Sequence, residues 1–489
     1  MSLLTQYTTG TYTRRVADIK SQSIIEIRFS GQDIGDVVAV YPQVSLTSCE
    51  VASGRVTYGG RLVCTLVYAD ESGNLCRVQK GAEFSHFADN ENLAPAQTGH
   101  CFLTAEKSQI KRDGSLYVVA VVVGAEISVF APAERSVLAS AEGAVVKKEN
   151  RKLYSAVTFS GESEVEDEFD CNAEDVLIPA AEVLVLDCNC RSGAVEINGE
   201  IYLSLLAIRG GKPVGLDRVI PFKSEIACED ALLARKATCR AEVKEVALKA
   251  SVNEESGKCN VELTLQLGFA GKYYDDEEIS VIEDAFSPSS ELQLSYAEET
   301  CSPCTETKVF TERVSGLCAT KAKLDYTCAF LAVALPKVEF ARSSIGVEGS
   351  VSATLLYEQN GEIRATEVNL PFAVSLPGVD ECGDIGIAVC GVSIRQHSEG
   401  ECEAEGVLKI TVSSCETSTV KYVTDATEVG ERQVNNSAIS VYIPTAGDGL
   451  WETAKKLSQS PEDITATNPD LTFPLSGKER ILVYRPKQA

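Results

Sequence analysis

Apolar and polar residues alternate along most of this chain, and one alternating hairpin is written three times. The copies are GRLVCTLVYADESGNLCRVQKGAEF (Gly60–Phe84), GEIYLSLLAIRGGKPVGLDRVIPF (Gly199–Phe222) and GSVSATLLYEQNGEIRATEVNLPF (Gly349–Phe372). Leu62, Ile201 and Val351 share one register, and Leu66, Leu205 and Leu355 share another. Between them lie Arg61, Glu200 and Ser350, then Thr65, Ser204 and Thr354. Side chains alternate across a strand, so one face of each hairpin is apolar and the other partly polar. Gly73, Gly210 with Gly211, and Gly361 fall at the turns, where positive φ is needed. This self-similarity predicts one duplicated unit.

Neighbouring segments fill out the unit. YPQVSL (Tyr41–Leu46), IPAAEVLVL (Ile178–Leu186) and LPKVEF (Leu335–Phe340) precede the three hairpins and read as extended segments begun through Pro, consistent with edge strands. A second hairpin follows each first one, with turns at Asp113-Gly114, around Ser256-Gly257 and around Glu399-Gly400. Helical periodicity is scarce before residue 440, and ALLARKATCRAEV (Ala231–Val243) is the main ambiguous segment. Antiparallel sheets with one buried face stack most simply as a sandwich.

The expected organisation is mainly β: three repeated antiparallel β-sandwich-like domains and a small C-terminal βααβ domain. Residues 1–23 read as a polar N-terminal extension ordered only by docking. The repeats span 24–150, 151–286 and 308–423. Residues 287–307 and 424–437 read as linkers, and 438–485 as the tail domain. A length of 489 residues fits about three sizeable domains.

Charge narrows the partners. With 45 Lys and Arg against 71 Asp and Glu, the net charge is −26. That argues against nucleic acid and bare anionic membrane, and favours basic or mixed-charge proteins. From residue 438 onward acidic and basic residues balance, so the excess lies upstream. The acidic stretch ESEVEDEFDCNAED (Glu162–Asp175) lacks the ligand spacing and turn glycine of a calcium loop, and reads as a solvated face. No apolar run is long enough to span a membrane as a helix. MSLLTQYTTGTYTRRVADIK carries no export signal, so the 18 Cys are expected as reduced thiols in a cytosol. CSPC (Cys301–Cys304) has zinc-like spacing, but Cys318 and Cys328 stand singly, and a loop with free thiols is the favoured reading.

The tail reads strand, helix, helix, strand. AISVYIP (Ala438–Pro444) alternates as a strand. Asp448 is placed to cap LWETAKKLS, whose Leu450, Ala454 and Leu457 share one face. Ser460 and Pro461 start a second helix, Asn468-Pro469 ends it, and RILVYR can pair with the first strand.

YIPTAGDGLWETAKKL, SPEDITATNPDL and LSGKERILVY together resemble a LysM domain, with its GD-x-LW-x-x-AKK start and its NP before the last strand. Gly449 stands where a Thr or Ser is usual, and Thr453 where a core Ile or Leu is usual. In glycan-binding LysM domains the sugar lies between two loops. The resemblance maps these to Gly447, Asp448, Gly449 and Leu450 and to Asn468, Pro469, Asp470 and Leu471. Three acidic β repeats ahead of such a tail also resemble the SPOCS-domain proteins of spore-coat morphogenesis. Val347–Phe372 is the nearest copy of their V-x-G…Y…PF pattern. That resemblance implies a non-catalytic adaptor in the mother-cell cytosol, at the forespore surface. Its LysM end would contact the coat's basement-layer ATPase, stage IV sporulation protein A. The alternative is a cell-wall protein that binds peptidoglycan through the LysM loops.

Signs of catalysis are lacking. His86, His100 and His397 have no partner in local spacing and read as surface residues. GGKPVG (Gly210–Gly215) lacks the Lys-Ser/Thr and helix of a phosphate loop and reads as a hairpin tip. No nucleophile or metalloprotease signature is present, and no enzyme, cofactor or metal is expected.

Overall fold

The computed structural model describes residues 3–31, 34–231, 233–252, 259–319, 331–343, 346–379, 382–398, 401–432 and 437–485. It is mainly β, in several antiparallel sheets, with two short helices near the C-terminal end. Strands β1 (Leu4–Ser30), β2 (Asp36–Ala52), β3 (Arg55–Ala69), β4 (Leu75–Asp89), β5 (Thr98–Asp113) and β6 (Leu116–Glu142) form two three-stranded sheets, ordered β1-β6-β5 and β2-β3-β4. Next come β7 (Val145–Cys171), β8 (Asp175–Arg191), β9 (Ala194–Arg209), β10 (Lys212–Ala227), β11 (Arg235–Val252) and β12 (Cys259–Phe286). They pair as β7-β12-β11 and β10-β9-β8, joined where Asn189 and Cys190 meet Lys236 and Arg235.

The third set comprises β13 (Ser290–Cys301), β14 (Cys304–Ala319), β15 (Leu331–Arg342), β16 (Gly346–Gln359), β17 (Glu362–Ser375), β18 (Cys382–Ser398), β19 (Glu401–Cys415) and β20 (Ser418–Glu431). Its sheets run β14-β19-β18 and β15-β16-β17, while β13 pairs with β20 beyond the ends of β14 and β19. The same pairing order thus occurs in three places. Each set has its own apolar cluster, centred on residues such as Leu62 and Val121, Ile201 and Leu265, and Val351 and Leu408.

The hairpins expected from the alternation are β3–β4, β9–β10 and β16–β17. The Gly and Phe that bound each copy stand directly opposite one another: Gly60 and Phe84, Gly199 and Phe222, Gly349 and Phe372. A Cβ on these glycines would come within 2.6, 2.6 and 2.8 Å of the Phe ring. The ring covers the bare backbone, which ties the two residue types together.

Two further apolar junctions hold the sets to each other. At one, Val67, Leu206 and Leu356 pack with Val38, Leu177 and Ile178. At the other, the far ends of β1 and β6, of β7 and β12, and the pair β13–β20 form three two-stranded ribbons. They bury Leu138, Ala141, Ile282, Ala285, Val423 and Ala426 together. The Arg135 guanidinium lies among these ribbons. It donates to Glu299 at 2.9 and 2.6 Å and to the Tyr154 carbonyl at 3.0 Å.

Several expectations are corrected. Residues 4–23 are no separate extension: they are part of β1, paired along β6, and the backbone ladder orders a polar stretch that has little apolar pattern of its own. Residues 287–307 contain β13 and the start of β14, and β20 runs into 424–437, so both expected linkers are largely strand. The turn between β6 and β7 falls at Gly143, ahead of the expected boundary at 150. The ambiguous 231–243 segment enters strand β11. The Asp113-Gly114 turn is as expected, while those around Ser256-Gly257 and Glu399-Gly400 lie outside the described residues.

Candidate functional site

The tail is built from β21 (Ile439–Tyr442), α1 (Leu450–Leu457), α2 (Pro461–Thr467) and β22 (Ile481–Tyr484), with β21 and β22 antiparallel. Ala454, Leu457, Ile464, Leu475, Ile481 and Val483 form its core. Ser460 caps α2 by accepting from the Asp463 amide at 3.0 Å. Asp448 is not the cap of α1. That place falls to Gly449, which has no side chain to offer. Asp448 instead accepts from the Thr445 amide at 3.1 Å and from Lys456 at 2.8 Å, and the Lys456 ammonium first among these holds its carboxyl below the ordinary value.

The two loops expected to form a sugar groove are neighbours. The Gly447 amide donates to the Leu475 carbonyl at 2.7 Å, and the Leu475 amide donates to the Asp448 carbonyl at 2.9 Å. Their polar groups are largely committed to the fold. The Asn468 side chain donates to the Ile464 and Leu482 carbonyls and accepts from the Leu482 amide at 2.8 Å. Thr453 is fully buried and its hydroxyl returns to the Gly449 carbonyl at 2.8 Å. Pro469 and Asp470 are exposed, and Leu450 and Leu471 are half-buried against the tail core.

Trp451 faces the body. Its indole meets the Phe286 ring edge-on at 5.3 Å and donates to Asp284 at 2.8 Å. Lys455 donates to both oxygens of that carboxylate at 2.7 Å. Burial opposes the Asp284 charge, but Lys455 and Trp451 outweigh it and hold the carboxyl below its usual range. Arg432, directly after β20, donates to the Lys455 carbonyl at 3.0 Å. One face of the tail is therefore used against β12.

The opposite character appears on its sheet. Ile439, Val441 and Ile443 alternate with Ser440, Tyr442 and Pro444, and it is the β-branched set that faces solvent. Ile439 stands opposite Tyr484 and Val441 opposite Leu482, so all five lie on one face. Their exposure runs from 41% at Leu482 to 68% at Ile443. Contiguous apolar surface of this kind marks interaction sites. The alternation was readable in the sequence, but its inward face was not.

The body holds a cavity of about 950 Å³ between the three sets of strands. Val44, Val183 and Val338 stand opposite Leu62, Ile201 and Val351, so their preceding neighbours Gln43, Glu182 and Lys337 occupy corresponding positions, and all three line the cavity. Lys337 donates to the carbonyls of Ala105 and, at 2.7 Å, Glu106. Burial pushes Glu182 up to about 7, against the Val389 backbone and Lys337, and burial does the same to Glu242. Ser204, Ser352 and Thr354, from the partly polar face of the hairpins, also line it. Sequence reading missed this cavity; three polar residues at one register of the strands before the hairpins were the available signal.

Of the histidines, His86 packs on Tyr58 and Phe87, and His100 lies 5.4 Å from the Phe130 ring, with burial pushing it down to about 4. Both are half-buried rather than free on the surface. The His397 side chain lies outside the described residues, as does Cys328. Cys301 and Cys304 end β13 and begin β14, with Cys304 opposite Cys415. Among the described residues no group of three or more His, Cys, Asp or Glu is placed to hold a metal ion, and no helix is long and apolar enough to cross a membrane. No protein-family model, curated protein or solved structure matches the chain.

Proposed function

We propose that this chain is a non-catalytic assembly adaptor of endospore coat morphogenesis, built from three SPOCS-like β-sandwich repeats and a LysM-like tail that docks a protein partner. The carrying observation is the apolar face of Ile439, Val441, Ile443, Leu482 and Tyr484, presented to solvent while Trp451 and Lys455 fix the tail to the body. A tail used for sugar would keep polar groups free between its loops. Here Asp448 and Asn468 are spent on internal bonds. The partner by resemblance is the coat ATPase, stage IV sporulation protein A, met in the mother-cell cytosol at the forespore surface.

Charge inserted in the apolar face tests this. Ile439→Asp with Leu482→Asp should weaken pull-down of the ATPase on the order of tenfold or more, because charge buried against an apolar partner is left unpaired. Deleting residues 438–489 should abolish it while the β body keeps its circular dichroism. Undiminished pull-down by either variant sinks the reading. Sedimentation of the intact chain with purified peptidoglycan, with no ATPase binding, would favour the cell-wall alternative instead.

A further inference from the structure

The cysteines of the body are not scattered in space. Cys49 on β2 stands opposite Tyr58, four residues before Leu62; Cys188 on β8 stands opposite Ile197, four residues before Ile201. Cys101 on β5 lies four residues before the register shift at Ala105; Cys239 on β11 lies four before the shift at Val243. The two sets thus place a thiol at the same two positions, one in each of their two sheets. The third set has Arg342 opposite Val347 and Ile385 before its own shift at Val389, so it carries no such pair.

Each pair is in reach. The Cys49 Sγ lies 3.0 Å from where a Cβ on Gly99 would stand, against β5 and on the side of the strand that Cys101 shares. Cys188 adjoins Asn189, which pairs with Lys236 and brings β8 and β11 to ladder spacing. Cys49 packs against the apolar cluster that holds Cys101, and Cys239 against the one that holds Cys188, while the Cys239 thiol donates to the Arg240 carbonyl at 3.4 Å. In each pair one thiol is buried, Cys101 or Cys188, and the other is partly open, Cys49 or Cys239. All four are free thiols.

We propose that Cys49 with Cys101, and Cys188 with Cys239, are dithiol sites that a small-molecule disulfide oxidises to inter-sheet disulfides. The open thiol loses its proton and attacks one sulfur of oxidised glutathione; a mixed disulfide forms and one glutathione leaves, taking up that proton. The buried thiol then attacks the sulfur of its partner cysteine. The second glutathione leaves with the proton of the buried thiol. Two protein thiols are oxidised and one glutathione disulfide is reduced to two thiols, with no net change in protons. The Cys101 thiol beside it lowers the Cys49 thiol below its ordinary value, which suits the attacking role, and the Cys49 thiol, with burial second, raises Cys101. Each bridge would tie one three-stranded sheet to the one packed on it and would close a long loop in the unfolded chain.

The test uses the intact reduced protein equilibrated with oxidised glutathione, then alkylated, digested and mapped by mass spectrometry. Expected are cross-linked peptides joining Cys49 to Cys101 and Cys188 to Cys239, loss of alkylation at all four, and no persistent glutathione adduct. Cys101→Ala and Cys188→Ala should instead accumulate glutathione on Cys49 and Cys239. Alkylation of all four thiols after oxidation, stable adducts on the native chain, or cross-links between other partners would each overturn the assignment. The mapping of the native chain decides the matter even where a variant does not fold.

Discussion

Glu182 belongs to β8 but faces the cavity shared by all three sets of strands, where the cation bearing on it is Lys337 from β15. Its folded value of about 7 lies above the ordinary 4.5, so between these two limits the folded chain binds more protons than the unfolded one. Stability from this group is therefore greatest below the unfolded value, falls as pH rises through the window, and levels off above about 7. The full shift corresponds to about 3 kcal/mol, and the half-buried setting of Glu182 reduces the expected loss to about 1–2 kcal/mol. Glu182→Gln removes the ionisation without removing the shape. Its unfolding free energy from urea titration should exceed that of the native chain at pH 8 by roughly this amount and by clearly less at pH 5.5. An equal gain at both pH values would show that the carboxyl does not titrate in this window.

Among the elements, β7 shows why an acidic run can be a strand. Glu162, Glu164, Glu166, Glu168 and Asp170 point outward, while Val165 and Phe169 between them pack on the core of the second set. β7 is an end strand: β12 pairs with it on one side, and no strand among the described residues pairs with its other edge. Charge on such an edge keeps a second chain from pairing with it. Replacing Glu164, Glu166 and Glu168 with Thr should leave the thermal midpoint nearly unchanged and promote self-association, seen as larger species in analytical ultracentrifugation. A variant that sediments as the native chain does at the same concentration would remove that role. The strand itself was hard to read because its inward residues are short of apolar types. The hairpins were legible because period-two alternation survives in them, and the turn glycines agree with it. The polar first part of β1 and the β13–β20 pair gave no such pattern: their order comes from backbone ladders and from neighbours far along the chain. In the tail, the element order and the second cap were legible. What hid the exposed face was that the apolar half of an alternating strand is ordinarily its buried half.

At the scale of the whole molecule, the sequence held one unread sign of how the three sets combine. Each hairpin carries two consecutive apolar residues, Leu66-Val67, Leu205-Leu206 and Leu355-Leu356, and period two sends one of each to the opposite face. The first of each pair fills its own core, and the second meets its counterparts at the junction of all three sets. At the far end the ribbons are joined through Arg135, which is 9% exposed and is bound by Glu299 from β13 and Tyr154 from β7. The Tyr422 hydroxyl from β20 donates to the same Glu299 at 2.5 Å. β1, β6, β7 and β12 run without interruption from their own sheets into this junction, so none of these sets can open there without disturbing its neighbours. The body is expected to unfold as one cooperative unit, with equal calorimetric and van't Hoff enthalpies; three independent units would give a van't Hoff value of about a third. Arg135→Ala leaves the half-buried Glu299 without its cation and should cost about 3 kcal/mol, whereas Arg135→Met combined with Glu299→Gln should recover much of that loss. If Arg135→Ala unfolds at the native midpoint, or if the native chain already melts in separate steps, the ribbons are not what couples the three sets.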